Sequence, residues 1–278
     1  MPQDFDLVAS PCGVTGTVVV QASVELRDNH WILEMAKQHK SIVGLCGYVE
    51  PGRPEFAAEI RELAGNPLFR GIRISYPTDE GERGGLTAEP GELWWQDMHL
   101  LSELDLQLDV LIVPFTAEAY APVLALAVRE PALRIVINHC ALLPVTGNAV
   151  SAADVDLVRT CAAHPNVFMK VSALLEMAAQ HTDGGTVPTL ELEFYRPVLE
   201  LLWGCFGEDR LIYAGNWPVC DLVRHGEATP YREVAEPARV YKEQLQLVME
   251  WARGKGDVAA RKFFAGNAKR AYKWVDRA

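Results

Sequence analysis

Basic residues are in short supply: 26 lysines and arginines stand against 37 aspartates and glutamates, a formal net charge of −11. A phosphate backbone or an anionic membrane surface needs a cationic face to meet it, so this balance argues against nucleic acid and against a membrane as partners. No apolar run approaches the roughly 20 residues that cross a bilayer. The opening Met1-Pro2-Gln3-Asp4-Phe5-Asp6 has neither a basic segment nor an apolar one of the kind that directs secretion. The six cysteines (Cys12, Cys46, Cys140, Cys161, Cys205 and Cys220) form no Cys-x-x-Cys pair, and several sit in apolar surroundings. Free thiols in a reducing compartment, and hence a cytoplasmic protein, are the expectation. Also missing are His-x-His, His-Glu-x-x-His, a glycine-rich phosphate loop and Gly-x-Ser-x-Gly, which leaves P-loop and Rossmann readings without support.

What is present is an ordinary globular balance, 49% hydrophobic and 23% charged over 278 residues. Seven short apolar runs recur: Thr17–Gln21, Ile42–Tyr48, Gly71–Ser75, Leu106–Val113, Arg134–Asn138, Val167–Val171 and Leu211–Ala214. Nearly all are continuously apolar, as strands buried on both faces of a parallel sheet must be. Amphipathic stretches separate them. Asp28 is expected to cap a helix running to about His39, Pro54 to open Glu55–Leu63, and Ser151 or Asp154 to introduce Val155–Ala163. Two further helices are expected over about 235–253 and 258–272. Alternation without a long linker predicts one α/β domain over residues 1–278, a (β/α)8-type TIM barrel that shows seven strands and lacks its first. Open strand edges would favour self-association into a homo-oligomer.

In a parallel barrel, residues at the C-terminal ends of strands share one mouth. Gln21, Glu50, Arg73, Ser75, His139, Lys170, Ser172 and Asn216 fall there. They comprise a base (His139), two cations (Arg73 and Lys170), and amide and hydroxyl groups, a mixture suited to acyl-type hydrolysis. A core histidine that holds its loop to the backbone is the alternative for His139, and its strand-end position favours the functional reading. Arg73 and Lys170 stand inside apolar runs, where a charge needs either a polar cavity or a partner such as Glu50 or Asp221. Trp217-Pro218 could form a substrate wall or merely a rigid turn. His181 and His225 lie in loops after strands, and the irregular stretches Tyr76–Gly91 and His181–Pro188 would sit above the mouth.

Six ordered motifs then resemble one family. They are Gly13-Val14-Thr15-Gly16-Thr17-Val18-Val19-Val20-Gln21-Ala22, Phe69-Arg70-Gly71-Ile72-Arg73, Val136-Ile137-Asn138-His139, Met169-Lys170-Val171-Ser172-Ala173, Asp209–Val219 and Phe264-Ala265-Gly266-Asn267-Ala268. Their order and spacing are similar to those of the amidohydrolase-related barrel hydrolases, which include sugar-acid, muconolactone-type and pyrone-dicarboxylate lactonases. The resemblance implies a small-molecule substrate, a cyclic ester or related carboxylate, with His139 and Asn216 as catalytic residues. Gln21, Arg73, Lys170, Ser172 and Trp217 would bind substrate. It also implies one divalent metal such as zinc, held by a first-strand His-x-His, by the histidine corresponding to His139 and by an aspartate in Gly-Ser-Asp-Trp-Pro. This chain shows no His-x-His strand and reads Ala214-Gly215-Asn216-Trp217-Pro218, so weak or no metal dependence is the expectation. A family member that binds a ligand without turnover, and a decarboxylase-like relative, are the alternatives.

Overall fold

The computed structural model describes residues 2–75, 84–180, 189–222 and 237–277. Seven strands, β1 (Thr17–Val20), β2 (Ile42–Gly47), β3 (Phe69–Ser75), β4 (Gln107–Leu111), β5 (Arg134–Ile137), β6 (Val167–Val171) and β7 (Leu211–Tyr213), pair in chain order. Every pairing is parallel. Each expected apolar run became a strand, with ends shifted by a residue or two. β2 is buried at all six positions, as its unbroken apolar pattern requires.

The sheet curls. Val18, Val20 and Cys46 from its first two strands share a cluster with Val136, Phe168 and Ile212 from its last three, a contact that a flat sheet forbids. Among the described residues β1 and β7 do not pair, so the barrel is open on that side. A much larger core lies between the outer face of the sheet and its helices, around Phe56, Phe69, Met98, Tyr120, Tyr195 and Phe263.

The helices that follow the strands are α2 (Leu26–Gln38), α3 (Phe56–Ala64), α4 (Glu92–Glu103), α5 (Ala117–Arg129), α6 (Ala152–Ala162), α7 (Leu174–Gln180), α8 (Leu192–Phe206), α9 (Val219–Leu222) and α10 (Pro237–Arg253). Ser151 caps α6 as expected, its hydroxyl accepting from the Asp154 N–H at 3.1 Å. Asp28 does not cap α2: it lies inside the first turn and accepts instead from the Ser23 hydroxyl at 2.5 Å. Pro54 likewise precedes its helix, which begins at Phe56. A helix that the periodicity did not reveal, α1 (Pro2–Ala9), packs on α10, with Phe5 against the rings of Trp217 and Tyr241.

The end of the chain forms the barrel floor. After α11 (Asp257–Arg261), a π-turn and α12 (Asn267–Tyr272), residues 267–277 cross beneath the N-terminal ends of the strands. Asn267 donates to the carbonyls of Glu208 and Leu211 below β7. Arg134 of β5 and Arg70 of β3 reach the carbonyls of Ala271 and Tyr272. Val275 N–H donates to Val43 of β2, and Arg277 to His39 and Ile42. Four strands, β2, β3, β5 and β7, are thereby tied to one segment.

Candidate active site

Three non-glycine backbones enter the left-handed region just beyond consecutive strands: His139 (φ 52°) after β5, Ala173 (57°) after β6 and Asn216 (50°) after β7. After β5 the conformation continues through Cys140, Ala141 and Leu142. Left-handed residues cost L-amino acids about 1–2 kcal/mol each. Burial of Cys140, Ala141 and Ala173 in the core holds this strain in place. Such concentrations of strain point to the mouth as the working end of the molecule.

The strained turns bring two hydrogen-bonded pairs together. His139 Nδ1 and Ser172 Oγ are 2.7 Å apart, linking the ends of β5 and β6. Asn216 Nδ2 donates to Glu176 Oε1 at 2.7 Å, linking the end of β7 to the first turn of α7. The carboxylate also fixes the amide's orientation, because only the NH2 side can donate to it. Asn216 is further positioned from behind. A Cβ on Gly215 would stand 2.3 Å from the Tyr241 ring, so α10 packs directly on this backbone, and Gln244 donates to the Gly215 carbonyl at 3.1 Å.

Arg73 extends from the inner face of β3, level with Asp109 of β4. Among the described residues no carboxylate lies within ion-pair distance of its guanidinium. Burial pushes the His139 imidazole down to about 3, and the positive charges of Lys170 and Arg73 add to that effect. His139 is therefore neutral at neutral pH and a weak proton acceptor.

Lys170 has a partner in Asp109, a residue not among the expected ones. Its ammonium lies 2.6 Å from Asp109 Oδ2 and 3.4 Å from Asn138 Oδ1, inside the barrel, with both members of the ion pair buried. Asn138 Nδ2 donates to the same Asp109 oxygen at 3.0 Å, and the Tyr272 hydroxyl rises from the floor to donate to Asp109 Oδ1 at 2.8 Å. Glu50 is instead bridged to Arg53 at 2.9 Å, and the Asp221 side chain lies outside the described residues.

Gln21 is buried beyond β1, where its NH2 group donates to the Glu25 carbonyl at 2.8 Å and to both the carbonyl and hydroxyl of Ser23 at 3.2 Å. It braces the β1–α2 connection, while its Oε1 meets no hydrogen-bond donor among the described residues. Trp217 packs its ring 5.4 Å from that of Phe5. Ser75 exchanges backbone hydrogen bonds with Gly84 and Leu86, drawing the second half of the Tyr76–Gly91 loop against β3. His181, His225 and the His181–Pro188 loop lie outside the described residues. Asp109, Glu176 and Tyr272 join the candidate site without having been singled out in the sequence, and Asn138 enters the sequence reading only as part of a motif.

Among the described residues no three histidine, cysteine, aspartate or glutamate side chains cluster closely enough to hold a metal ion. Among the described residues the groups around position 216 are one imidazole paired with a serine, one amide, and the single Glu176 carboxylate to which that amide donates. They do not fit a divalent-metal centre, which asks for three or more well-placed anionic or imidazole ligands.

No helix among the described residues is long and apolar enough to cross a membrane. The chain is similar to an L-fucono-1,5-lactonase from Burkholderia ambifaria, at 33% identity over 81% of this chain and 72% of that protein. An L-fucono-1,5-lactonase from Burkholderia multivorans is 26% identical over 92% of this chain and 80% of its own. In three dimensions the fold is similar to a crystal structure of an amidohydrolase from Burkholderia multivorans with bound zinc (TM-score 0.76, 22% identity, 99% of this chain and 88% of that one). The amidohydrolase family matches residues 2–274, and with a barrel mouth built in this way the chain belongs to that family.

Proposed function

We propose that this protein hydrolyses a small cyclic ester, a sugar-acid lactone or related carboxylate, with weak or no dependence on a metal. The observation that carries the reading is the convergence of Arg73, the His139–Ser172 pair and the Asn216–Glu176 pair on one mouth. Together they form an acyl-transfer site with cation, hydroxyl, amide and carboxylate. Two lactonase relatives point to the same substrate class. Arg73 would polarise the ester carbonyl, and Ser172 with His139 would hold the ring oxygens. Asn216 would orient the attacking water through the amide oxygen that faces away from Glu176. Lys170, neutralised by Asp109, contributes from below through its field, and Gln21 and Trp217 shape the wall.

A panel of five- and six-membered sugar-acid lactones, assayed by proton release, tests this reading. Turnover that survives EDTA treatment is expected. Activity that vanishes with the chelator and returns with zinc or manganese would refute the metal-poor part. The depressed basicity of His139 favours a second reading, binding without turnover. In that case a sugar acid would raise the melting temperature while no lactone was consumed.

A further inference from the structure

Hydrolysis needs a group that takes a proton from water, and among the described residues the mouth has few. The amide of Asn216 cannot accept one at neutral pH. Ser172 is a neutral hydroxyl, and His139 is a weak acceptor. Asp109 is saturated by Lys170, Asn138 and Tyr272 inside the barrel. Glu176 differs in place and in chemistry. It sits three residues into α7, directly after the left-handed Ala173, on a helix whose other side chains up to Ala179 are apolar. It is buried, and it lies against position 216, where the resemblance implies an aspartate.

We propose that Glu176 is the proton-accepting residue of this site, supplying from the first turn of α7 the carboxylate that is absent from the end of β7. The proposal rests on the hydrolase reading above. Glu176 takes a proton from water as the water oxygen bonds to the lactone carbonyl carbon. The carbonyl π pair moves onto its oxygen beside Arg73. Collapse of that adduct re-forms the carbonyl and breaks the ring C–O bond, and the departing ring oxygen receives the proton from Glu176. One water and one lactone give one hydroxy acid, and the carboxylate is regenerated. The geometry also explains why an aspartate at 216 would be unwelcome in this chain. Two carboxyls in hydrogen-bond contact cannot both ionise and would share a proton.

The test compares wild type, Glu176→Gln, Asn216→Asp and the swap Glu176→Gln/Asn216→Asp on the lactone that wild type turns over best. Binding is followed in parallel through the melting-temperature shift given by the corresponding hydroxy acid. Glu176→Gln should lose about 10²–10⁴-fold in kcat while keeping the ligand-induced shift. The swap returns one carboxyl and one carboxamide to the same contact and should regain at least about tenfold over Glu176→Gln, whereas Asn216→Asp alone should gain nothing. A Glu176→Gln enzyme within about threefold of wild type would overturn the proposal and leave the hydrolase reading standing. Should Glu176→Gln not fold, the swap decides: folded and inactive, it reduces Glu176 to a packing role. Wild-type protein inert on the whole panel sinks the hydrolase reading, and this proposal with it.

Discussion

Replacing Lys170 by methionine removes one charge of the buried pair and keeps most of the side chain's volume. Asp109 is then left with the Tyr272 hydroxyl at 2.8 Å and the Asn138 amide at 3.0 Å, two neutral donors in place of an ammonium at 2.6 Å. Stranding one member of a buried ion pair costs about 3–5 kcal/mol, and the two remaining donors place the expectation near the lower figure. At roughly 2–4 °C per kcal/mol for a chain of this size, melting should fall by on the order of 10 °C. Neutralising the stranded group in Lys170→Met/Asp109→Asn should recover about 2 kcal/mol, because an amide needs no counter-charge. Urea unfolding of wild type, both single variants and the double closes the thermodynamic cycle. A Lys170→Met loss below about 1 kcal/mol, or a double variant as unstable as the sum of its parts, would show that the pair is not the charge-compensated unit described.

His139 gives a pH prediction. Its imidazole is held near 3 in the folded protein against 6.5 unfolded, so the unfolded chain takes up the proton first as pH falls. Its contribution is intact above about 6.5 and is lost as pH drops toward 3, with a slope of up to about 1.4 kcal/mol per pH unit. His139→Gln should flatten the dependence of unfolding free energy on pH between 6 and 4 by about one proton, and an unchanged slope would contradict the burial assigned to the ring. Thiol chemistry gives another. Burial drives the Cys46 thiol strongly upward and pushes Cys140 and Cys161 up to about 12, while Cys12 and Cys205 are partly exposed. A charged thiol reagent at pH 8 should label Cys12 and Cys205 quickly in native protein and leave Cys46, Cys140 and Cys161 untouched until denaturation. Peptide mapping that finds rapid label on Cys46 or Cys140 would refute the packing of the barrel interior.

The strands were legible because burial on both faces leaves one unmistakable trace, a short unbroken apolar run, and all seven runs became strands. The same logic flagged Lys170, since a charge in Val167–Val171 must be answered. Applied evenly, it would also have found the answer: Asp109 stands alone in Leu106–Val113. Glu176 carries a fainter version of that signal, one charge in Leu174-Leu175-Glu176-Met177-Ala178-Ala179. Tyr272 had no such mark. It lies 163 residues from Asp109 in an amphipathic helix, and nothing local tells a tyrosine that packs outward from one that enters a barrel. The left-handed stretch over His139–Leu142 is equally silent in sequence, because tertiary packing, and no glycine, imposes it.

The floor drawn by residues 267–277 bears on how the molecule is made. All seven strands leave the ribosome before Tyr272 does, so the sheet can curl while Asp109 still lacks one donor and four strand ends lack their tie. The late arrival of a single hydroxyl then completes the solvation of a charge laid down long before. Until that moment the buried ion pair is open from below, and the turn that carries Tyr272 works as its stopper.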